Sequence, residues 1–226
     1  MESILYQIAT WALPVLVAIT LHEAAHGWVA DKLGDDTARR LGRVSFNPLR
    51  HIDSFGTVIL PALFIASGSP FMFGYAKPVP VNFSWLRRPK RDMALVAAAG
   101  PTANFLIAIG FCILWHLHSA LPEGVGGFWL DTVTKGIVFN VMLGVFNLLP
   151  LLPLDGGRIL AGLLPRPLAA QFARTERYGM FILIGLLVIL PLVGQQLGVS
   201  LNPIAWILLP IVDAVLWVLS LVFNVG

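Results

Sequence analysis

The sequence predicts an all-α polytopic membrane protein with five to six transmembrane helices, a re-entrant segment and short membrane-dipping β-strands. Three observations predict it. Of the 226 residues, 57% are hydrophobic and 12% charged, where a soluble domain carries about 25% charged residues. Five apolar runs approach or exceed the length needed to cross a bilayer, about 20 residues. The Lys and Arg residues gather in loops between those runs, as charge on the cytoplasmic side does. The net charge of +3 therefore points to the lipid bilayer and to no nucleic acid. Cys112, the one cysteine, excludes an internal disulfide framework and a Cys-rich metal site. A single domain is expected over 1–226, with a core at about 4–158 and C-terminal helices at about 178–224.

The apolar runs are 4–30, 93–116, 132–152, 178–193 and 201–223. The first is a retained helix, because residues 1–3 lack the basic start of a signal peptide,. The fourth is short for a span unless it extends into 194–197. Trp11, Trp28, Trp115, Trp129 and Trp217 fall near predicted ends and suit interfacial anchors. Residues 56–67 form an apolar run of only about 12 residues containing Pro61, a length that suits a re-entrant segment. Residues 41–46 alternate moderately, and 72–82 are too rich in proline for a helix, so both read as strands. The prolines suit an edge strand. Loops 31–50, 77–91 and 155–177 are basic, whereas 117–131 has no Lys or Arg and 193–202 has no charge. That pattern sets the N-terminus outside, the C-terminus inside and five crossings between them.

His22, Glu23 and His26 form an HExxH motif inside the first run, whose only charged residue is Glu23. By composition alone, about 0.002 such matches are expected in a chain like this. Residues one helical turn apart share a face, so both imidazoles can reach one metal ion while Glu23 sits beside the first. A charged side chain at membrane depth is itself a mark of function.

A catalytic zinc takes three protein ligands and keeps a fourth position open, so a third donor is needed. His51 lies in a polar loop, and His116 and His118 fall at the far end of a span. Glu123 and Asp131 occupy the outside loop, Glu2 the N-terminus, and Asp53, Asp92 and Glu176 polar surroundings. Asp213, alone in an apolar run, reads as a structural or interhelical hydrogen-bonding residue. Asp155 is different: it closes an otherwise apolar run in which Pro150 and Pro153 break the helix and Gly156 and Gly157 permit a tight turn,. A helix-terminating Asp in a turn is the alternative. Crossing parity favours a meeting, because two spans and a re-entrant segment bring Asp155 back to the end of the first helix that carries the histidines.

These motifs together resemble the site-2 protease family of intramembrane zinc metalloproteases (peptidase M50-like). The likeness rests on HExxH, on Asn147-x-x-Pro-x-x-Pro-x-Asp155-Gly-Gly, on Gly100-Pro101-Thr102-Ala103-Asn104, and on 37–56 and 73–82. It covers residues 22–158 and leaves no segment for PDZ or CBS domains, which suggests a minimal member. The resemblance implies one zinc per chain held by His22, His26 and Asp155, with Glu23 as general base. It also implies a membrane-dipping β-loop at 73–82 that pairs with an extended substrate. The candidate substrate-binding residues are then Asn147, Phe73, Gly74, Tyr75, Lys77, Pro78 and Asn104. The expected activity is endopeptidase cleavage within or near transmembrane segments of membrane-anchored proteins. Its expected place is a plasma membrane of bacterial or archaeal type, with the site towards the cytoplasm. The alternative is a membrane metal-binding or transport protein using the same His/Asp site. A transporter, however, strings polar groups through its spans or shows repeats, and this chain concentrates them at one level.

Overall fold

The computed structural model describes residues 4–51, 53, 59, 77–122 and 124–225. The described residues are mostly helical. Helix α1 is Ile4–Leu33, α2 Thr37–Arg40, α3 Pro89–Trp115, α4 Val125–Asn147, α5 Asp155–Leu163 and α6 Arg166–Ala173. Then come α7 (Glu176–Ile184), a π-helical turn at Gly185–Ile189, α8 (Leu190–Gln196) and α9 (Pro203–Phe223). Among the described residues, five stretches are long and apolar enough to span a bilayer: Ile4–Leu33, Pro89–Ala120, Val125–Asn147, Glu176–Gln196 and Pro203–Phe223. The chain is a multi-pass integral membrane protein.

Local chemistry sets the helix ends. Pro89 opens α3 at a position where its missing N–H costs nothing,. The Asp92 carboxylate accepts the Arg88 N–H at 2.8 Å, closing the first turn,. Asn202 caps α9 by accepting the Ala205 N–H at 3.1 Å,. Pro191 cannot donate to the carbonyl four residues back, and the wider π turn directly precedes it,. The span expected at 132–152 instead starts at Val125 and ends at Asn147. Apolarity continues beyond that point, but the backbone does not, because Pro150 and Pro153 force the turn before Asp155.

Helices α1, α3 and α4 pack against one another, α5 lies on α3, and α9 leans on α4. Small residues let the backbones approach, as in other membrane bundles. A Cβ at Gly136 on α4 would sit 2.7 Å from the Phe111 ring of α3, and one at Gly144 would sit 3.2 Å from the Phe105 ring. One apolar cluster joins Ala108, Val141, Val145, Ile204, Leu208 and Val212 across α3, α4 and α9. Lys135, inside α4, ties that helix to α1. Its ammonium donates to Thr10 Oγ1 at 2.6 Å, Asp131 Oδ2 at 2.7 Å and Gln7 Oε1 at 3.1 Å.

The chain returns to the end of α1 after leaving it. Lys77 N–H donates to His51 O (2.9 Å) and Arg87 N–H to Leu33 O (3.0 Å). The buried Asp35 carboxylate accepts the Asn82 N–H at 2.6 Å. The re-entrant segment expected at 56–67 lies outside the described residues apart from Ile59.

Two expectations need correction. Among the described residues there is no β-strand. In 41–46 the donors turn back onto α2: Leu41 N–H to Thr37 O, Gly42 N–H to Arg39 O and Arg43 N–H to Ala38 O. Gly42 takes a φ of +65° there, which reverses the chain and overrides the mild alternation. Of 72–82, residues 77–82 are described and form no ladder, since Pro78 and Pro80 have no N–H to give. Asp213, expected to be a structural or interhelical hydrogen-bonding residue, is exposed on α9.

Candidate metal centre

Because α1 continues unbroken through the motif, His22 and His26 stand one turn apart, their Nε2 atoms separated by 3.1 Å. Asp155 is the first residue of α5, and its Oδ2 lies 3.2 Å from His22 Nε2 and 3.4 Å from His26 Nε2. Both imidazoles are buried. The turn that delivers Asp155 depends on close backbone approach. A Cβ on Gly157 would lie 2.5 Å from Leu152 N and 2.6 Å from the Leu151 carbonyl carbon, and one on Gly156 would strike the Leu148 and Leu149 carbonyls. The two glycines thus serve a helix start pressed against the preceding turn, with no positive φ at either.

The hydrogen bonds settle which ring nitrogens face inward. His26 Nδ1 lies 2.7 Å from Val96 O, a carbonyl that can only accept, so Nδ1 carries the proton,. His22 Nδ1 lies 2.6 Å from Asn104 Oδ1. That oxygen is identified by its partner nitrogen, which donates to Asn140 Oδ1 at 3.0 Å and Ala18 O at 3.3 Å. In each ring the Nε2 is therefore a bare lone pair directed at the other and at Asp155 Oδ2.

Three lone-pair donors converge, and Asp155 Oδ2 is buried without a hydrogen bond of its own. Such a trio repels itself unless a cation lies among its members. A tetrahedral zinc with bonds of about 2.0–2.1 Å separates its donors by about 3.3 Å, close to the observed triangle. Gly100 of α3 keeps the front of the site open, since a Cβ there would lie 2.6 Å from His22 Nε2 and closer still to His26 Nε2. These residues fit a zinc ion.

Glu23 is half-buried, and its Oε2 accepts the Val79 N–H at 2.7 Å. Val79 itself is buried, and the segment carrying it is held from the side by Arg43, whose Nη2 donates to Lys77 O at 2.7 Å and Pro78 O at 3.4 Å. Asn104 is fully buried, and its amide is engaged by His22, Ala18 and Asn140. Asn147, at the last turn of α4, donates to Leu143 O at 3.0 Å. Phe73, Gly74 and Tyr75 lie outside the described residues, as does Glu123. His51 is buried against Ser45 O, while His116 and His118 bond Phe223 O and Trp115 O at the other end of α3. Among the described residues, His22, His26 and Asp155 are the one cluster of potential ligands arranged for a metal. Sequence reasoning missed Asn140, Val79 and the role of Gly100. A polar Asn140 within an apolar span was a signal in principle; for the other two, only the packing reveals the contact.

A helical bundle of membrane spans that closes two histidines and an aspartate around one point, with a glutamate beside them, defines an intramembrane metallopeptidase. Residues 10–190 match the model of peptidase family M50, and the chain belongs to that family. It is 40% identical over 194 residues to YwhC of Bacillus subtilis, which carries the provisional name of zinc metalloprotease; the match covers 84% of each chain. Rip2 of Mycolicibacterium smegmatis, also provisionally named a zinc metalloprotease, is 30% identical over 80% of this chain and 66% of its own. The regulator of sigma-E protease RseP of Salmonella typhimurium shares 33% identity over 48% of this chain and 25% of its own. No solved structure matches the chain. The protein is a zinc metalloendopeptidase, and the transport alternative is set aside.

Proposed function

We propose that the protein hydrolyses peptide bonds within or near the transmembrane segments of membrane-anchored proteins. In this reading His22, His26 and Asp155 hold one zinc, and the chain is a single membrane protease domain whose core spans about 4–158. The observation that carries the reading is the convergence of those three donors beside Glu23 at one end of an apolar bundle. The basic loops that flank this end of the chain support a site facing the cytoplasm.

When bound, zinc supplies Lewis acidity, polarising the scissile carbonyl and lowering the pKa of water towards about 7. Glu23 is the general base. Its Oε2 is held by the Val79 N–H, which leaves Oε1 to take a proton from the attacking water and return it to the leaving amine. Gly100 leaves room for the substrate carbonyl. A transmembrane helix hides its peptide bonds in internal hydrogen bonds, so the substrate segment must unwind before cleavage. Residues 77–82 run without helical structure from His51 to Asp35 past Glu23, and an extended substrate can align along them by strand addition. Lys77, Pro78 and Asn147, with Phe73, Gly74 and Tyr75 upstream, are the residues proposed to line that path.

Incubation of the wild type and Glu23→Gln with candidate membrane-anchored proteins, followed by mass spectrometry of the products, tests this. The wild type should release fragments cut within or near a transmembrane segment. Glu23→Gln should retain zinc but slow cleavage by a factor on the order of 10² to 10⁴. Undiminished turnover by Glu23→Gln would remove it from the base role.

A further inference from the structure

Asn140 makes no contact with the metal centre, yet it stands at the head of a buried chain of hydrogen bonds that ends there. Its side-chain nitrogen donates to the Gly136 carbonyl at 2.8 Å. A carbonyl can only accept, so this bond fixes which end of the Asn140 amide is oxygen. That oxygen accepts from Asn104 Nδ2 at 3.0 Å, which fixes the Asn104 amide in turn. Asn104 Oδ1 then faces His22 Nδ1 at 2.6 Å. Asn140 and Asn104 are both 0% exposed, so water cannot take over either bond.

The consequence for the ligand is chemical. A neutral imidazole carries one proton, and a ligating Nε2 must be without it. If the Asn104 amide rotated by half a turn, an N–H would face His22 Nδ1 and the imidazole proton would move to Nε2. His22 would then be unable to bind a cation. The other restraint on Asn104 is Ala18 O at 3.3 Å, beyond the usual range for this kind of bond. We infer that Asn140 is a positioning residue for the metal centre, acting through Asn104 to hold His22 in its metal-binding tautomer. This rests on the proposed ligand role of His22. It also couples two ligands through one element, because α4 carries Asn140 and leads directly into Asp155.

Zinc affinity of the purified protein, measured by chelator competition, tests this in three single variants, a double variant and a His22→Ala control, each checked for thermal stability without metal. Asn140→Leu removes the acceptor and should weaken zinc binding about 10- to 100-fold, the range for loss of a partner that orients a ligand. Asn140→Asp keeps an oxygen for Asn104 but sets a carboxylate against Gly136 O. It should be the less stable variant while holding zinc within about 3-fold of the wild type. A role in packing alone predicts the opposite, with zinc affinity following stability. In the third variant, Asn104→Asp, both side-chain oxygens accept, so no wrong orientation exists, and adding Asn140→Leu there should cost less than about 3-fold. Equal losses from Asn140→Leu in the two backgrounds would overturn the inference, as would unchanged affinity in Asn140→Leu. Should Asn140→Leu fail to fold, loss of zinc from folded Asn140→Asp would overturn it as well. If His22 is not a ligand at all, His22→Ala will retain zinc, which separates that failure from a failure of the relay.

Discussion

The two central spans and the two C-terminal spans are both apolar helices, yet they are built to different ends. In α3 and α4, 44% of the most apolar window is buried, against 17% in the spans Glu176–Gln196 and Pro203–Phe223. Hydropathy runs the other way: the mean is 1.2 in α4 but 2.1 and 2.3 in the C-terminal pair. The polarity that lowers α4 is turned inward, as Asn140, Thr132 and Lys135, and each has a hydrogen-bond partner. The C-terminal helices turn large apolar side chains outward, among them Phe181, Trp206, Trp217 and Leu221. In lipid an unpaired polar group is costly, so polar residues accumulate only where other helices enclose them. The least apolar span, α4, packs on α1, the helix that carries His22, Glu23 and His26.

The contrast can be broken by substitution. The largest effect is expected from Asp155→Ala, which should weaken zinc binding by more than about 100-fold, beyond the loss caused by removing a mere orienting partner. Zinc content retained in full by elemental analysis would take Asp155 out of the site. Gly100→Ala on α3 comes next. In an ordinary helix interior this change stabilises by about 1 kcal/mol, but the new methyl would meet both imidazoles. Zinc affinity should therefore fall by about 10-fold, comparable to losing an orienting partner, without loss of helix by circular dichroism.

Val79→Pro sharpens the comparison at the edge of the site. It deletes one N–H between two existing prolines, so the extended backbone should persist. Cleavage should slow about 10-fold, near the lower end of what a hydrogen bond to a charged group contributes, with zinc affinity unchanged. The smallest effect belongs to the C-terminal pair: Leu209→Ala, at a side chain 47% exposed, should shift stability by less than about 0.5 kcal/mol and leave zinc content alone. A loss of metal there would mean that the two halves are not separate in function.

Much of this was legible in the residue order, for reasons that differ from site to site. HExxH declares itself because helical spacing alone puts His22 and His26 together. Asp155 is announced by Pro150, Pro153, Gly156 and Gly157, which punctuate an apolar run. The end of the third span was misread because hydropathy reports solvent preference and not backbone conformation. Residues 41–46 alternate like a strand, but hydrogen bonds back to α2 win locally. The contacts of Gly100, Val79 and Asn140 depend on how α3, α4 and the segment after His51 register against α1. Nothing local in the sequence encodes that register, so these residues appear only once the helices are packed.

The central claim is that two imidazoles and one carboxylate hold a single zinc. X-ray absorption at the zinc edge of the purified protein tests it most directly. The account predicts nitrogen and oxygen scatterers at about 2.0–2.2 Å, with the multiple-scattering signature of two imidazoles. A sulfur shell at about 2.3 Å, or a signal unchanged in a His22→Ala variant, would contradict it.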